Sequence, residues 1–402
     1  MLPIFKAPHR IFFASGAMLM LLPMLWWVGI QSNLFVPNQT STVFYAGAHM
    51  YLMCYAVLSA FILGFILTVF PKWLNFESYS LKHIYILTVL FVGSYVLAMF
   101  GLMRSDYLYK ISSVLNALGF IYLSGLLLQS FIKVKHPSKM QPGFTVLGII
   151  GGAVGSIFYS LSLFQNSFTY YEISYAIGIY FYLFLVVCSV AFRMVPFFTS
   201  CIHKGYEVVR VPWFLPFLTI GSILKVALFI WHFPQYYFLS DAFILVAVLF
   251  QFKQWKFKLN QGVPLLSMLY YSMIWLPIYL FLSGIYSVNT LINGVPLIFV
   301  EEAALHALTI GCYSSLVYAM ATRVTLGHSG QKLQTPMLIN IIFYLFQLCV
   351  IMRVFMGFYA YINPVVALKS YMAGYIWILC FGVWFIKYFW VYFVKRFDGK
   401  EG

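Results

Sequence analysis

The residues best suited to chemistry are two histidines that fall inside long apolar segments, His49 and His306. Met53 follows the first by four residues and Glu302 precedes the second by four, so each pair shares one helical face. A neutral imidazole binds a metal through one ring nitrogen while an acceptor such as a carboxylate holds its other N–H. Two such imidazoles on facing helices predict axial ligation of a haem iron, with Glu302 as the acceptor beside His306.

The same residues also have structural explanations. A histidine inside a membrane commonly makes an interhelical hydrogen bond, and Met53 is one of 17 methionines, which serve as core fillers. Glu301 and Glu302 begin a predicted helix, where negative charge is favoured. His232, which ends a predicted helix beside Trp231, suits an interfacial anchor as well as a metal ligand. Position alone therefore leaves both interpretations open.

The amino-acid composition indicates which secondary-structure elements must position these residues. Of 402 residues, 63% are apolar and only 8% are charged, whereas soluble domains carry about a quarter charged residues. A soluble enzyme, a nucleic-acid-binding module and a disordered protein are excluded. Runs of roughly 20 apolar residues predict an all-α polytopic transmembrane bundle of about twelve helices, forming a single domain over residues 1–402. The predicted spans cover residues 11–30, 44–70, 82–103, 110–132, 144–164, 173–198, 212–231, 237–252 (a short one), 264–287, 299–322, 336–358 and 365–393.

Basic residues give the orientation of this bundle. The net charge of +15 comes from Lys and Arg that cluster after every second predicted span, while the alternate loops contain almost none. By the positive-inside rule both termini are predicted to be cytoplasmic, which places His49, His232 and His306 toward the outer face. His9 and His328 fall at the cytoplasmic ends, where solvated side chains are expected, although His328 also suits a proton or metal site.

Three segments resemble one family of membrane proteins. The most specific runs from Glu301 to Gln334 and contains LHALTIG followed by ATRVTLGHSG, which is similar to the LHALTxG and MTRVTLGHTG patterns of the NnrS family. Two others, His49 to Trp73 and Arg193 to Thr199, resemble that family's HxHEM with GFLLTAVPNW and its RVIPFFT segment. The three matches lie in the family's order and spread over most of the chain.

This resemblance implies a multi-pass protein of the bacterial inner membrane that binds haem and copper and takes part in the response to nitric oxide. No CxxCH sequence is present, so the haem is expected to be non-covalent haem b. The expected partners are the lipid bilayer and nitric oxide or a related small molecule, with no nucleic acid. The predicted metal-site residues are His49, His306, His232, His328 and Met53, and the predicted cofactor-binding residues also include Glu302 and Arg353.

The sequence departs from the family pattern at two histidines. Tyr51 replaces the second His of HxHEM, and Tyr270 replaces a His of the ninth helix. Tyrosine is a poor copper ligand in a low-dielectric site, so haem is favoured over copper. Arg353 is expected to pair with a haem propionate through a bidentate contact. Arg193 and Arg323 match two family arginines, but at predicted helix ends they also suit binding to helix carbonyls.

Other functions remain open at this stage. A cofactor-free secondary transporter would use Lys225, Glu172 and the intramembrane histidines as a path for a proton or solute. A redox enzyme like the haem–copper oxidases would share the layout of histidines on the second and tenth helices, but the sequence lacks their His-His pair and His-x-x-x-Tyr motif. An assembly factor would handle haem or metal for other enzymes. The favoured function is a membrane haem protein of the nitric oxide response.

Overall fold

Twelve helical segments of 17 or more residues follow one another in the described part of the chain. The computed structural model describes residues 3–35, 42–136, 139–363, 365, 369 and 371–399, and every regular element within them is helical. Helices are expected for so apolar a chain, because backbone N–H and C=O groups inside a bilayer must be satisfied within the segment itself. The segments are α1 Pro8–Gln31, α2 Tyr45–Leu74, α3 Leu81–Arg104, α4 Asp106–Lys133, α5 Met140–Gln165, α6 Phe168–Ile202, α7 Phe214–Ile230, α8 Pro234–Gln254, α9 Pro264–Asn293, α10 Ile298–His328, α11 Met337–Ile362 and α12 Tyr371–Phe393.

Eleven of these segments are long and apolar enough to cross a membrane, and α7 is a shorter apolar helix. The predicted all-α polytopic architecture is therefore confirmed. The prediction that the eighth span is short is wrong, since α8 extends over 21 residues. It begins with a 3-10 turn at Pro234–Tyr236, whose polar and aromatic residues lie outside the apolar run.

The helices form two units. One contains Met1–Val186, His328–Gly330 and Phe385–Gly402, and the other contains Val187–Gly327 and Gln331–Trp384. In unit 1, α4 packs against α3 and α5, and α1 packs against α2. In unit 2, α8 packs between α7 and α9, while α10 packs against α9 and α11. The single domain over residues 1–402 stays a prediction.

Three helices of the described chain change their winding inside the predicted membrane region. The π-helical segments are Leu52–Leu58 in α2, Ile177–Leu183 in α6 and Ala307–Ser314 in α10. A π turn closes its hydrogen bonds over five residues and is frequently found at functional sites. Two of these segments follow directly or closely after the histidines that the sequence singles out, His49 and His306.

Tyrosines fill much of the core of unit 1. The Tyr51 ring stacks on Tyr159, with centroids 4.2 Å apart and planes 7° apart. Three of their hydroxyls have partners, since those of Tyr109 and Tyr159 lie 2.7 Å apart and Tyr55 donates to the Ser174 main-chain oxygen at 2.8 Å. Because buried hydroxyls are costly without partners, these bonds let a polar aromatic core persist among apolar helices.

Candidate functional site

His306 is held in one orientation by its own helix. Its Nδ1 lies 2.7 Å from the main-chain oxygen of Glu302, one turn earlier in α10. Because a carbonyl oxygen only accepts, Nδ1 carries the proton, and in the neutral ring Nε2 carries the lone pair. The acceptor is thus the main chain of Glu302 and not its carboxylate, which sequence reasoning favoured. A ring held in this way presents the Nε2 lone pair in one fixed direction, so it can act as a Lewis base toward a metal.

The Glu302 carboxylate instead binds Arg353 of α11. Oε2 of the glutamate lies 3.2 Å from Nη2 of the arginine, whose side chain is 10% exposed against 47% for the glutamate. The two helices approach closely at Gly357, where a Cβ would lie 2.7 Å from the Ala303 Cβ. The structure therefore brings together three predicted cofactor-binding residues, namely His306, Glu302 and Arg353.

The change of winding after His306 is stabilised by side chains. The Ser314 hydroxyl donates to the Thr309 oxygen at 2.8 Å, and the Ser315 hydroxyl to the Ile310 oxygen at 3.3 Å. Both bonds reach back five residues, which matches the spacing of a π turn. Ser314 and Ser315 therefore favour π-helical winding in the segment that follows His306.

Two further polar residues tie this segment to its neighbours. Trp275 of α9 donates its indole N–H to the Gln347 side chain of α11 at 2.8 Å, and Gln347 donates to Ser315 at 3.0 Å. All three residues are buried, so each bond satisfies groups that water does not reach. Sequence reasoning missed this chain of bonds, for which a glutamine inside an apolar run was the signal.

His49 of unit 1 lies three residues before the π-helical segment Leu52–Leu58. Its ring stacks on Trp27 with centroids 4.5 Å apart and an interplanar angle of 11°. Met53 is half-buried inside the π-helical segment. The shared face that the spacing of His49 and Met53 predicts stays a prediction. Because His49 and His306 belong to different units, their pairing on one haem stays a prediction.

His328 packs against a histidine that sequence reasoning did not select. The rings of His9 and His328 lie 4.4 Å apart at 45°. His9 is 3% exposed, so the expectation that it is solvated is wrong. The cause is the end of the chain, where the Tyr392 and Val394 oxygens accept bonds from Arg10 at 3.2 and 2.6 Å. The signal in the sequence was the position of His9 directly before Arg10.

His232 lies at the end of α7. It is exposed and has a φ of 57°, which places it in the left-handed region. Such a conformation is typical of the residue that terminates a helix. The structure thus accounts for its position as a helix end, and its role as a metal ligand stays a prediction.

The two tyrosines at family histidine positions are both fully buried. Tyr51 is the ring stacked on Tyr159, and the Tyr270 hydroxyl lies 2.8 Å from the Thr199 hydroxyl. Among the described residues, no group of three or more His, Cys, Asp and Glu side chains could hold a metal ion. Copper prefers imidazole and sulfur donors, so neither tyrosine supplies the donor that the family histidine would offer, and copper binding stays a prediction.

The two family arginines lie in unit 2. Arg210 donates to the main-chain oxygen of Arg193 at 3.2 Å, and the Arg323 guanidinium lies 3.8 Å from the centre of the Phe198 ring. Stacking of a guanidinium on an aromatic face is a stabilising cation–π contact. The guanidinium of Arg323 thus has a structural contact, whereas the contact of Arg193 involves its main chain and leaves the role of its side chain a prediction.

The fold and this site define a polytopic, all-helical membrane protein with an anchored imidazole and a buried guanidinium among its membrane-spanning helices. The chain belongs to the NnrS family, because it matches the family model described as NnrS protein over residues 3–396. This confirms the resemblance drawn from the three sequence segments. A comparison with curated proteins gives no match.

Proposed function

We propose that this NnrS-family protein binds haem b among its membrane-spanning helices and takes part in the response to nitric oxide in the bacterial inner membrane. The observation that carries the proposal is the 2.7 Å contact between His306 Nδ1 and the Glu302 main-chain oxygen. It leaves Nε2 as the basic nitrogen of a fixed ring, which is how haem and metal ligands are prepared. When bound, ferrous haem would supply an iron centre that can bind nitric oxide.

Arg353 would bind a haem propionate. Its guanidinium has five N–H donors, and in the ion pair with Glu302 its Nη2 lies 3.2 Å from Oε2 of the glutamate. Because the arginine side chain is buried and the glutamate is nearly half exposed, a second anionic group would improve the neutralisation of the cation. Bidentate binding of a carboxylate suits the planar guanidinium.

His49 is the second proposed iron ligand. Its stack on Trp27 limits rotation of the imidazole, so the side chain would lose little conformational entropy when it binds iron. Nitric oxide is small and uncharged, and we expect it to reach the iron through lipid. The surrounding apolar helices would exclude water from the ligand side of the ring.

The proposal is tested by the visible spectrum and iron content of the detergent-purified protein. We expect a Soret band that shifts on addition of nitric oxide. His306→Ala and His49→Ala should each alter this band. The matched control is His203→Ala, which changes an exposed histidine just beyond the end of α6 and should not. If His306→Ala and His49→Ala both retain the full wild-type band, the ligand assignment is wrong. Protein that stays colourless after incubation with haemin would overturn the proposal.

A secondary transporter is the second candidate function. It is favoured by the fully buried ion pair between Lys225 and Asp241, since ionisable residues inside membranes commonly line proton or solute paths. A colourless preparation that retains a solute would support this candidate. Uptake into proteoliposomes that depends on a proton gradient would distinguish it from haem binding.

A further inference from the structure

The loop between α6 and α7 in unit 2 is hydrogen-bonded to the end of α8. The Gln251 side chain accepts from the Val211 main-chain N–H and donates to the Val209 oxygen, both at 3.2 Å. The Trp255 indole N–H donates to the same Val209 oxygen at 3.1 Å. Because Gln251 and Trp255 are buried, water does not compete for these bonds. They fix the main chain on both sides of Arg210.

Arg210 presents its guanidinium at the surface of this loop. Its Nη2 donates to the Arg193 main-chain oxygen at 3.2 Å, and the residue is exposed. Among the described residues, no carboxylate forms an ion pair with Arg210. A guanidinium has five N–H donors, so most of them remain available to an acceptor outside the protein. Phosphate oxygens suit the planar fork of these donors.

The surroundings of Arg210 carry an excess of positive charge. The Tyr206 hydroxyl donates to the Trp255 main-chain oxygen at 3.3 Å, so the loop and the residues after α8 lie at one end of unit 2. The only acid within residues 193–210 and 253–258 is Glu207. The further basic residues of these two ranges are Arg193, Lys204, Lys253, Lys256 and Lys258. The positive-inside rule predicts that this end is cytoplasmic, where anionic lipids attract basic segments.

An aromatic surface adjoins the basic end. The Trp213 ring lies 4.9 Å from Phe217 and 5.2 Å from Phe250. Phe217 stacks on Phe243 with centroids 4.7 Å apart and planes 6° apart. Trp213, Phe217 and Phe250 are exposed. The four rings therefore form a continuous apolar surface along α7 and α8 that begins three residues after Arg210, and an acyl chain can pack against it.

The length of α7 places Arg210 near the lipid phosphates. This helix has 17 residues, which at 1.5 Å per residue corresponds to about 25 Å. The hydrocarbon core of a bilayer is about 30 Å thick. A short helix is accommodated by local thinning of the bilayer and by flanking residues that extend toward the headgroups. The loop that precedes α7 is therefore expected at the level of the headgroups.

We propose that unit 2 binds one anionic phospholipid, with its phosphate on the Arg210 guanidinium and an acyl chain along the rings of Trp213, Phe217, Phe243 and Phe250. Positive charge alone attracts anionic lipid to any basic loop, whereas a fixed guanidinium beside an aromatic surface defines one site. The hydrogen-bonded loop lowers the entropic cost of binding. The surrounding cations favour a headgroup with net negative charge over a zwitterionic one. This site is separate from the proposed haem ligands.

The test is native mass spectrometry of the purified full chain in detergent, titrated with dioleoylphosphatidylglycerol or dioleoylphosphatidylcholine. We expect tighter binding of the phosphatidylglycerol, and Arg210→Gln should weaken it by about fivefold. The matched control is Arg104→Gln, which removes the same charge from an exposed arginine at the end of α3 in unit 1 and should leave the affinity unchanged. Equal weakening by both variants, or equal affinity for the two lipids, would overturn the proposal.

Two further measurements separate the parts of the site. Trp213→Ala shortens the aromatic surface without changing charge, so it should also weaken binding of dioleoylphosphatidylglycerol, and an unchanged affinity would contradict the acyl-chain contact. Inorganic phosphate distinguishes a lipid from a soluble anion. At millimolar concentration it should leave the lipid bound, because it has no apolar part, and complete displacement would show that the site binds soluble phosphate instead. Arg210 is exposed, so unfolding of the Arg210→Gln variant should match that of the wild type.

Discussion

Gly311→Ala tests whether the π-helical segment of α10 is shaped by packing. A Cβ at this position would lie 2.5 Å from Cγ, 2.7 Å from Cδ2 and 2.9 Å from Cβ of Trp275, all closer than real Cβ contacts. Trp275 cannot turn away easily, because it is 7% exposed and its indole N–H is bonded to Gln347 at 2.8 Å. Either the ring or the helix must therefore shift.

Two opposing effects decide the sign of this change. Replacement of glycine by alanine inside a helix ordinarily stabilises it by about 1 kcal/mol. Overpacking of a fixed core costs about 1–3 kcal/mol, and a strained bond from Trp275 to Gln347 exposes a buried donor to a further cost of about 1–3 kcal/mol. The steric and hydrogen-bonding costs together exceed the gain, so we expect Gly311→Ala to lower the free energy of unfolding by about 1–5 kcal/mol.

The assay is unfolding in detergent followed by tryptophan fluorescence, with Gly284→Ala as the matched control. Gly284 lies in α9 of the same unit, and a Cβ there would meet nothing within 4 Å. This control should be stabilised by up to about 1 kcal/mol. Trp275→Ala removes the two closest ring atoms and should reduce the cost of Gly311→Ala in a double-mutant cycle. If both glycine variants shift stability in the same direction, the packing argument is refuted.

Three further changes have definite expected outcomes. Tyr51→His restores a family histidine but places it against Tyr159 in a full core, so metal analysis should show no gain of copper, and stoichiometric copper would contradict this. Trp27→Leu removes the ring stacked on His49, so haem should be lost faster to a competing haem-binding protein, and an unchanged rate would count against the role of the stack. Arg10→Gln removes bonds to two carbonyl oxygens, each worth about 1.5–3 kcal/mol. The chain end should then be cleaved faster in limited proteolysis, and an unaltered cleavage rate would show that those bonds do not hold it.

The number of spans and their approximate limits could be predicted because a bilayer demands long apolar helices. The span predicted at 82–103 is the helix Leu81–Arg104. The span predicted at 173–198 extends over Phe168–Ile202, since polar residues such as Thr and Glu continue a helix beyond the apolar run. Hydropathy reports the part of a helix that suits lipid and not where its hydrogen bonds end.

The candidate site was predictable only where its residues are close in sequence. The spacing of four placed Glu302 and His306 one turn apart, and the structure joins them by a hydrogen bond. The ion pair of Glu302 with Arg353 required knowledge of which helices pack together, and spacing along the chain carries no such information. His9 was missed for a related reason, because the return of the C-terminal segment to α1 through Arg10 has no signal in hydropathy.

The π-helical segments also determine which changes of length the protein tolerates. Each residue of an α-helix turns the chain by about 100°, and a π turn contains more residues than an α turn. Deletion of one residue from Ala307–Ser314 would favour α-helical winding, which turns the chain more per residue and would therefore largely preserve the orientation of Arg323 relative to Glu302. A deletion in the α-helical stretch that follows would instead rotate everything downstream by about 100°. The π-helical segment is thus the part of α10 where the loss of one residue should be tolerated best.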